Sequence, residues 1–407
     1  MRECKIVSSK FHLKESHTLE VSHEHGGYGA LEKLKEYTPL EIIGIIKEAN
    51  LRGKGGGGAG AGDKWMLMPQ ESDKPSFLAV NCDESEPGTF KDRQIITYDP
   101  HLLIEGIIIT CYAIKSQHAY IYIRGEYKEY QDILQSAIDE AYDAGLLQVC
   151  DITIHRGAGA YICGEKSALL ESMEGKRGHP RLKPKQKEPE WFFGNPTLVN
   201  NVETIASVPF IVQNGADAYR AFGTQKSPGT LLFAMSGHVQ NPGVYEAEFG
   251  TSMMEYINHY GGGVKNGKKL KAVIPGGVSC GVLTAQECEN LTLDYEALRS
   301  AGSSLGTGGM ILMDEDTNMV EALKNILEFY HEESCGQCTP CRDGSGWSDK
   351  IVGRILNGNG TKADLDKLFD LADTMNGKTI CVFAPSISQV LVSFITKFRD
   401  EFEAVVS

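Results

Sequence analysis

Four cysteines in the C-terminal part of the chain have the spacing of a metal-cluster site. Cys335, Cys338 and Cys341 follow one another at three-residue intervals, and Cys381 follows 40 residues later. Four thiolates suit either a tetrahedral zinc ion or a [4Fe–4S] cluster. Zinc sites usually combine two paired Cys-x-x-Cys segments, whereas three close cysteines and a distant one are typical of iron–sulfur ligation. The spacing therefore favours a cluster over a structural zinc ion.

A glycine-rich segment indicates a second kind of site. Residues 52–65 read RGKGGGGAGAGDKW, after a predicted helix over 39–51 and before a predicted strand. Glycines allow backbone N–H groups to converge on a phosphate, and the basic side chains add positive charge. A flexible linker is the alternative for such a composition. Neither the dinucleotide fingerprint G-x-G-x-x-G nor the P-loop pattern occurs here in its usual context, so neither of these sites is supported.

Polar residues gather near the ends of predicted strands. They are Asn81, Asp83, Glu84 and Glu86 after a strand over 77–81, Tyr161, Gly164 and Glu165 after a strand over 152–154, and Asn200 and Asn201 before a helix. Open α/β sheets bind ligands at the carboxyl ends of their strands, so this placement predicts a binding site. A solvated acidic turn is the alternative for the first group, and a helix cap is the alternative for the asparagines.

Three kinds of element follow one another along the chain and would position these residues. Strands alternate with helices from about residue 75 to 223, which indicates a parallel sheet covered by helices. Short strands with Gly and Pro turns and one helix over 253–259 follow, which indicates a small α+β domain. Apolar residues at helical spacing after residue 317 predict a four-helix bundle. The proline- and lysine-rich stretch 177–196 predicts an irregular loop.

Composition and charge narrow the class of protein. The 407 residues are 41% hydrophobic and 23% charged, which is typical of a globular protein and excludes general disorder. A net charge of −14 repels phosphate backbones and anionic lipid, so we expect neither nucleic acid nor a membrane surface as the main partner. The longest apolar run, 102–114, is too short to span a bilayer, and no apolar segment follows the first residues. We therefore expect a cytoplasmic protein without direct membrane insertion.

Taken together, the four segments and the cysteine block resemble the family of flavin-carrying 51-kDa subunits of respiratory complex I. The same family includes diaphorase subunits of electron-bifurcating, NAD(P)-linked hydrogenases and formate dehydrogenases. Further matching motifs are PGG at 275–277, LGTGG at 305–309 and ESCGQCTPCR at 333–342. The resemblance implies an N-terminal extension and helix (1–60), an α/β Rossmann-like FMN- and nicotinamide-binding domain (61–225), a small α+β ubiquitin-like SLBB domain (226–314) and a helical bundle carrying a [4Fe–4S] cluster (315–407).

The resemblance also implies an NAD(P)H dehydrogenase of the diaphorase type. It would move a hydride between a nicotinamide and FMN, and single electrons between FMN and iron–sulfur clusters, without a catalytic proton-transfer residue. The implied cofactor-binding residues are Gly53, Gly55, Lys64, Asn81, Asp83, Glu84, Gly164, Glu165, Lys166, Asn200 and Asn201, with Glu86 and Tyr161 positioning the nicotinamide. The implied cluster ligands are Cys335, Cys338, Cys341 and Cys381.

Three departures from the family pattern bear on the choice of nicotinamide. Ala59 stands for the Phe of GFPTG, Gln186 for the Phe of PPFPA, and Lys166 for the second Glu of GEE. These changes remove aromatic packing and a carboxylate that would repel a 2′-phosphate, while Lys166, Lys185 and Lys187 would gather beside the ribose. We predict a preference for NADP(H) over NAD(H). The alternative is an electron-relay or structural subunit that no longer binds a nicotinamide.

A single cluster has to pass its electrons to another polypeptide. We therefore expect further iron–sulfur subunits as partners. They would include a [2Fe–2S] thioredoxin-like protein and a larger catalytic subunit of the hydrogenase or formate dehydrogenase type, as in a bifurcating complex.

Overall fold

The computed structural model describes residues 5–184 and 187–407. The helices are α1 (Leu19–Glu24), α2 (Gly29–Lys33), α3 (Pro39–Glu48), α4 (Ala61–Trp65), α5 (Asp92–Tyr98), α6 (Pro100–Ile114), α7 (Lys128–Asp143), α8 (Lys166–Met173), α9 (Val202–Ala206), α10 (Val208–Asn214), α11 (Ala216–Arg220), α12 (Met253–His259), α13 (Ala285–Cys288), α14 (Tyr295–Ser300), α15 (Met319–Glu333), α16 (Thr339–Leu356), α17 (Lys362–Met375), α18 (Phe383–Lys397) and α19 (Arg399–Glu403). The strands are β1 (Ser76–Cys82), β2 (Ser116–Ile123), β3 (Asp151–Arg156), β4 (Glu190–Phe192), β5 (Asn195–Asn201), β6 (Thr230–Gly237), β7 (Gly243–Glu248), β8 (Leu270–Ile274), β9 (Leu283–Thr284) and β10 (Gly309–Asp314). Short 3-10 helices cover Tyr161–Gly164 and Lys265–Gly267.

The first domain contains a five-stranded sheet in the order β3-β2-β1-β5-β4. The first four strands of that order are parallel, and only β4 runs antiparallel to its neighbour. Helix α6 is buried along almost its whole length and packs against β1, β2 and α9. Because β1 and β5 are neighbours, the residues after Cys82 and those around Asn200 meet at one edge of the sheet. The alternating pattern predicts such a parallel sheet, and the resemblance implies its Rossmann-like arrangement.

The prediction of an irregular loop over 177–196 is wrong for its second half. Residues 190–192 form β4, and β5 begins at Asn195. The ring of Phe192 is buried against Phe77, at 5.7 Å between centroids, and against Tyr120, at 5.3 Å. This aromatic packing stabilises an edge strand although prolines flank it.

The second domain has a mixed sheet in the order β7-β6-β10-β8-β9, in which β6 and β10 are parallel. Helices α15 to α18 then form the C-terminal four-helix bundle, so the predicted fold class is confirmed. Helix α16 begins at Thr339, because Pro340 suits the first turn of a helix. Within the described residues, no helix combines the length and the apolar character needed to cross a bilayer.

Candidate functional site

One cavity of about 700 Å³ opens where the three domains meet. All thirteen residues of the cofactor-binding set that the resemblance implies line it: Gly53, Gly55, Lys64, Asn81, Asp83, Glu84, Glu86, Tyr161, Gly164, Glu165, Lys166, Asn200 and Asn201. The second domain adds Ser279, Ser304 and Thr307 to the lining, and the bundle adds Cys381 and Phe383. Sequence reasoning did not select those five residues for this cavity, since their contribution depends on how the domains pack.

Residues 52–60 of the glycine-rich segment form an ordered loop that contacts the second domain, and the last five residues of the segment form α4. The N–H of Gly53 donates to the carbonyl of Ala59 at 2.8 Å and closes the loop. The hydroxyl of Tyr295 donates to the carbonyl of Gly53 at 3.0 Å. Gly58 has a φ of +62°, and a Cβ there would lie 2.6 Å from the ring of Tyr295. Glycine is therefore required at this position for both conformation and space.

A buried network of ion pairs connects the loop to the rest of the first domain. The ammonium of Lys54 lies 3.3 Å from one carboxylate oxygen of Glu203, and that of Lys91 lies 2.8 Å from the other. Lys91 also pairs with Asp92 at 2.8 Å. Burial by itself would raise the pKa of Glu203, but the two lysines outweigh burial and hold that pKa below its usual value. Buried charges of this kind are tolerated because each has a partner.

Several of the predicted residues, Glu84 and Asn201 among them, have side chains hydrogen-bonded to other parts of the protein. The carboxylate of Glu84 accepts the N–H of Asp92 at 2.7 Å and the hydroxyl of Tyr127 at 3.0 Å. The side chain of Asn201 caps α9 by accepting the N–H of Glu203 at 3.0 Å, the alternative considered for the asparagines. Both residues line the cavity, yet these contacts indicate that they shape its wall.

Asp83 differs from Glu84 and Asn201, because one of its carboxylate oxygens has no hydrogen-bond partner among the described residues. Its Oδ1 accepts the hydroxyl of Ser85 at 2.6 Å, while its buried Oδ2 has no hydrogen-bond partner among the described residues. Burial raises the pKa of Asp83 to about 7. Nearby, the Asn81 amide donates to the carbonyl of Gly164 at 2.8 Å. An unpaired buried oxygen beside a cavity favours a ligand that supplies a donor there.

Glu86 and Tyr161 are joined to each other and to the other domains. The hydroxyl of Tyr161 donates to Glu86 at 2.5 Å, and the N–H of Ser279 donates to the other Glu86 oxygen at 2.7 Å. The ring of Tyr161 packs edge-on against Phe329 and Phe383 of the bundle. Burial raises the pKa of Glu86 although both hydrogen bonds lower it. The pair is thus held from three domains.

Gly277 provides a test of this arrangement. Its φ is +97°, and a Cβ there would lie 2.4 Å from Cγ of Glu86. We expect Gly277→Ala to displace the Glu86 carboxylate and lower kcat/KM for the nicotinamide roughly tenfold, with unchanged FMN content. Gly267→Ala is the control, because Gly267 has a φ of +69° but open space around its Cβ position. Equal losses of kcat/KM in the two variants would contradict the assigned role of Glu86.

Three lysine residues, Lys64, Lys166 and Lys183, line another part of the cavity wall. Lys166 forms an ion pair with Glu190 of β4, and Lys183 lines the same cavity. Lys64 donates to the carbonyl of Val199, and burial together with the charge of Lys166 lowers the pKa of Lys64 to about 8. Glu190 was not among the residues that the sequence singled out.

Lys187, another residue of the predicted lysine group, is not among the residues that line this cavity. Lys187 is exposed. Lys185 and Gln186 lie outside the described residues. The gathering of lysines beside a ribose therefore stays a prediction.

The four cysteines line a second, smaller cavity. Cys335 and Cys338 lie in the loop before α16, Cys341 lies in its first turn, and Cys381 precedes α18. The sulfur of Cys338 accepts the N–H of Ile380 at 3.5 Å. In the described parts of the chain, no three His, Cys, Asp or Glu side chains are close enough to hold a single metal ion. The four cysteines are arranged around one space, and a [4Fe–4S] cube would take each thiolate on a separate iron.

The two cavities share a wall. Ile162, Cys381 and Phe383 line both of them. A group in the larger cavity and a cluster in the smaller one would therefore be separated by single side chains.

Comparison with known families matches the three parts of the structure. The Nuo51 FMN-binding domain matches residues 46–210, the SLBB domain matches 231–311, and the NADH-ubiquinone oxidoreductase-F iron-sulfur binding region matches 321–405. These matches define a flavoprotein-type oxidoreductase subunit.

Relatives that match over nearly the whole chain lead to the same assignment. The chain is 44% identical to the F subunit of NADH-quinone oxidoreductase of Rickettsia bellii, with 98% of each protein covered. It is 46% identical to the F 2 subunit of the same enzyme of Rhizobium meliloti, with 96% of this chain and 95% of that protein covered. The chain belongs to the family of NADH-quinone oxidoreductase F subunits, which confirms the resemblance and the oxidoreductase class.

Solved structures of an NAD+-reducing [NiFe]-hydrogenase have the same fold. For the structure in the H2-reduced state, the TM-score is 0.86 and the sequence identity is 34%. The match covers 94% of this chain and 65% of the hydrogenase chain. In the air-oxidized state the TM-score is 0.87 at 33% identity, over 100% of this chain and 67% of that chain.

Proposed function

We propose that this chain is the FMN- and [4Fe–4S]-carrying subunit through which a multi-subunit oxidoreductase exchanges electrons with NADP(H), and less readily with NAD(H). One observation carries the proposal: the residues expected to bind the flavin and the nicotinamide line one cavity, and this cavity shares a wall with that of the four cysteines. FMN, when bound, would exchange a hydride with a nicotinamide and single electrons with a cluster.

The chain's own residues would bind and orient these groups. The unpaired oxygen of Asp83 would accept a hydroxyl of the ribityl chain, and Lys64 would contribute positive charge. Glu86, held by Tyr161 and Ser279, would orient the nicotinamide against the flavin. Cys335, Cys338, Cys341 and Cys381 would bind the cluster.

Asp83 supports a prediction about pH. Its folded pKa of about 7 lies above the value of about 3.9 in an unfolded chain, so the folded chain keeps a proton that the unfolded chain loses. The contribution of Asp83 to folding stability should therefore fall as pH rises from about 4 to 7. In the flavin-free chain, the melting temperature of the wild type should fall between pH 5 and 7.5 by a few degrees more than that of Asp83→Asn. Parallel pH profiles would contradict this.

The proposed preference for NADP(H) rests on Lys166 and Lys183. Both lysines line the cavity, where the family pattern has a carboxylate at position 166. Glu190 now neutralises Lys166, so a 2′-phosphate would have to replace Glu190 as its partner. Two lysines can supply a few kcal/mol, enough for ~10²-fold discrimination.

The proposed partner subunits follow from the need of this chain to pass single electrons from its cluster to another polypeptide. The relatives are named as subunits of NADH-quinone oxidoreductase, and the structural neighbour is named as an NAD+-reducing hydrogenase. We propose that this chain assembles with a [2Fe–2S] thioredoxin-like subunit and a larger iron–sulfur catalytic subunit of the hydrogenase or formate dehydrogenase type.

An absorption spectrum of the anaerobically purified chain tests the cofactors. Flavin bands with a broad iron–sulfur shoulder, both bleached by NADPH under argon, are expected. A colourless protein containing zinc would contradict the proposal. Cofactors that dithionite bleaches but neither NADPH nor NADH does would favour the electron-relay alternative.

A further inference from the structure

Two side chains from the first domain converge on the loop that carries the first cysteine. A guanidinium N–H of Arg177 donates to the carbonyl oxygen of Cys335 at 3.2 Å, and Nε2 of His179 lies 3.2 Å from the same oxygen. The next residue, Pro180, is buried and lines the cysteine cavity. The segment before β4 thus forms part of the wall of a site whose four cysteines all belong to the C-terminal domain.

The segment is anchored to α8 next to this contact. Arg181 pairs with Glu171 at 2.5 Å and with Glu174 at 3.0 Å, both on or next to α8. Arg177 is solvent-exposed, but the Arg181 ion pairs fix the backbone from which it and His179 reach Cys335. Elsewhere in the first domain, the N–H of Tyr161 donates to Glu333 at 3.1 Å, beside the cysteine loop, so the two domains are also joined there.

We infer that Arg177 and His179 are positioning residues for the iron–sulfur site, which hold the Cys335 loop against the flavin-type domain and set the reduction potential of the cluster. The inference rests on the proposed assignment of the four cysteines. Reduction adds a negative charge to a cluster, and a nearby positive charge stabilises the reduced form. Hydrogen bonds that draw electron density from the Cys335 peptide act in the same direction.

The test is a redox titration of the cluster in the full-length protein, followed by electron paramagnetic resonance. Arg177→Met should lower the ratio of reduced to oxidised cluster about threefold at a fixed ambient potential, or about 28 mV for a one-electron couple at 59 mV per tenfold. His179→Leu should shift the potential in the same direction, and His179→Gln, which retains an N–H donor, should restore most of it.

Lys176→Met is the matched control. Lys176 is the neighbouring residue and is also exposed, but its ammonium pairs with Glu174 and Glu171 and not with the carbonyl of Cys335. Its removal should leave the potential unchanged. Equal potentials in the wild type, Arg177→Met and His179→Leu would overturn the inference, as would an equal shift in Lys176→Met.

Two further outcomes are decisive. If Arg177→Met does not retain iron, Arg177→Lys, which keeps the charge, should retain the cluster near the wild-type potential, and loss of iron there as well would overturn the inference. A wild-type protein with flavin but without a cluster signal would instead overturn the cysteine assignment.

Discussion

Lys166→Glu should shift the ratio of kcat/KM for NADPH to that for NADH by roughly 10²-fold towards NADH. The substitution replaces a cation in the cavity wall with a carboxylate, which repels a 2′-phosphate and accepts hydrogen bonds from ribose hydroxyls instead. It also places a second carboxylate beside Glu190. The measurement is steady-state kinetics with a viologen acceptor.

Two companion variants sharpen this test. Glu190→Gln removes the carboxylate that neutralises Lys166 and should raise kcat/KM for NADPH more than for NADH. Lys362→Glu makes the same charge change as Lys166→Glu at an exposed position at the start of α17, outside the cavity lining, and a much smaller change in the ratio is expected. A wild-type preference for NADH, or an unchanged ratio in Lys166→Glu, would contradict the proposed specificity.

Cys338→Ala should abolish the cluster while FMN remains bound. Cys338 is one of the four cysteines around the smaller cavity, and it is absent from the lining of the larger one. Loss of one of four thiolates removes an iron ligand and destabilises the bundle, whose helices α16 and α18 begin beside the cysteines. Iron content should fall from about four per chain to near zero.

The control for this variant is Cys288→Ala. Cys288 is a buried cysteine at the end of α13 in the second domain, so it tests the general cost of shortening a cysteine. Wild-type iron content in Cys288→Ala is expected. Wild-type iron content in Cys338→Ala would show that the ligand assignment is wrong.

Some features could be predicted because they depend on local sequence. Helix α12 spans Met253–His259, as predicted, since its apolar residues and the capping Ser252 are contiguous. The polar residues after β1 and around the 3-10 helix meet at one cavity, because parallel strands bring their carboxyl ends to the same edge of a sheet. The cysteine cavity likewise follows from residues that are close in the chain, with Cys381 added.

Other features depend on pairs that are distant in the chain. Glu84 lines the cavity, but its carboxylate binds the backbone of Asp92 and the hydroxyl of Tyr127, which no local pattern reveals. Strand β5 was not predicted, because its sequence NPTLVNN has weak strand propensity and its pairing with β1 stabilises it.

The class of this protein can be inferred from local sequence: the cysteine spacing, the glycine-rich segment and the polar residues at strand ends define the family and its candidate cofactor sites. How these sites are joined depends on the folded chain. It pairs Lys166 with Glu190, holds Glu86 through Ser279, and places Ile162 and Phe383 between the two cavities. The physical reason is that local patterns report which residues can do chemistry, whereas charge pairing and shared walls arise from contacts between residues of different elements and domains.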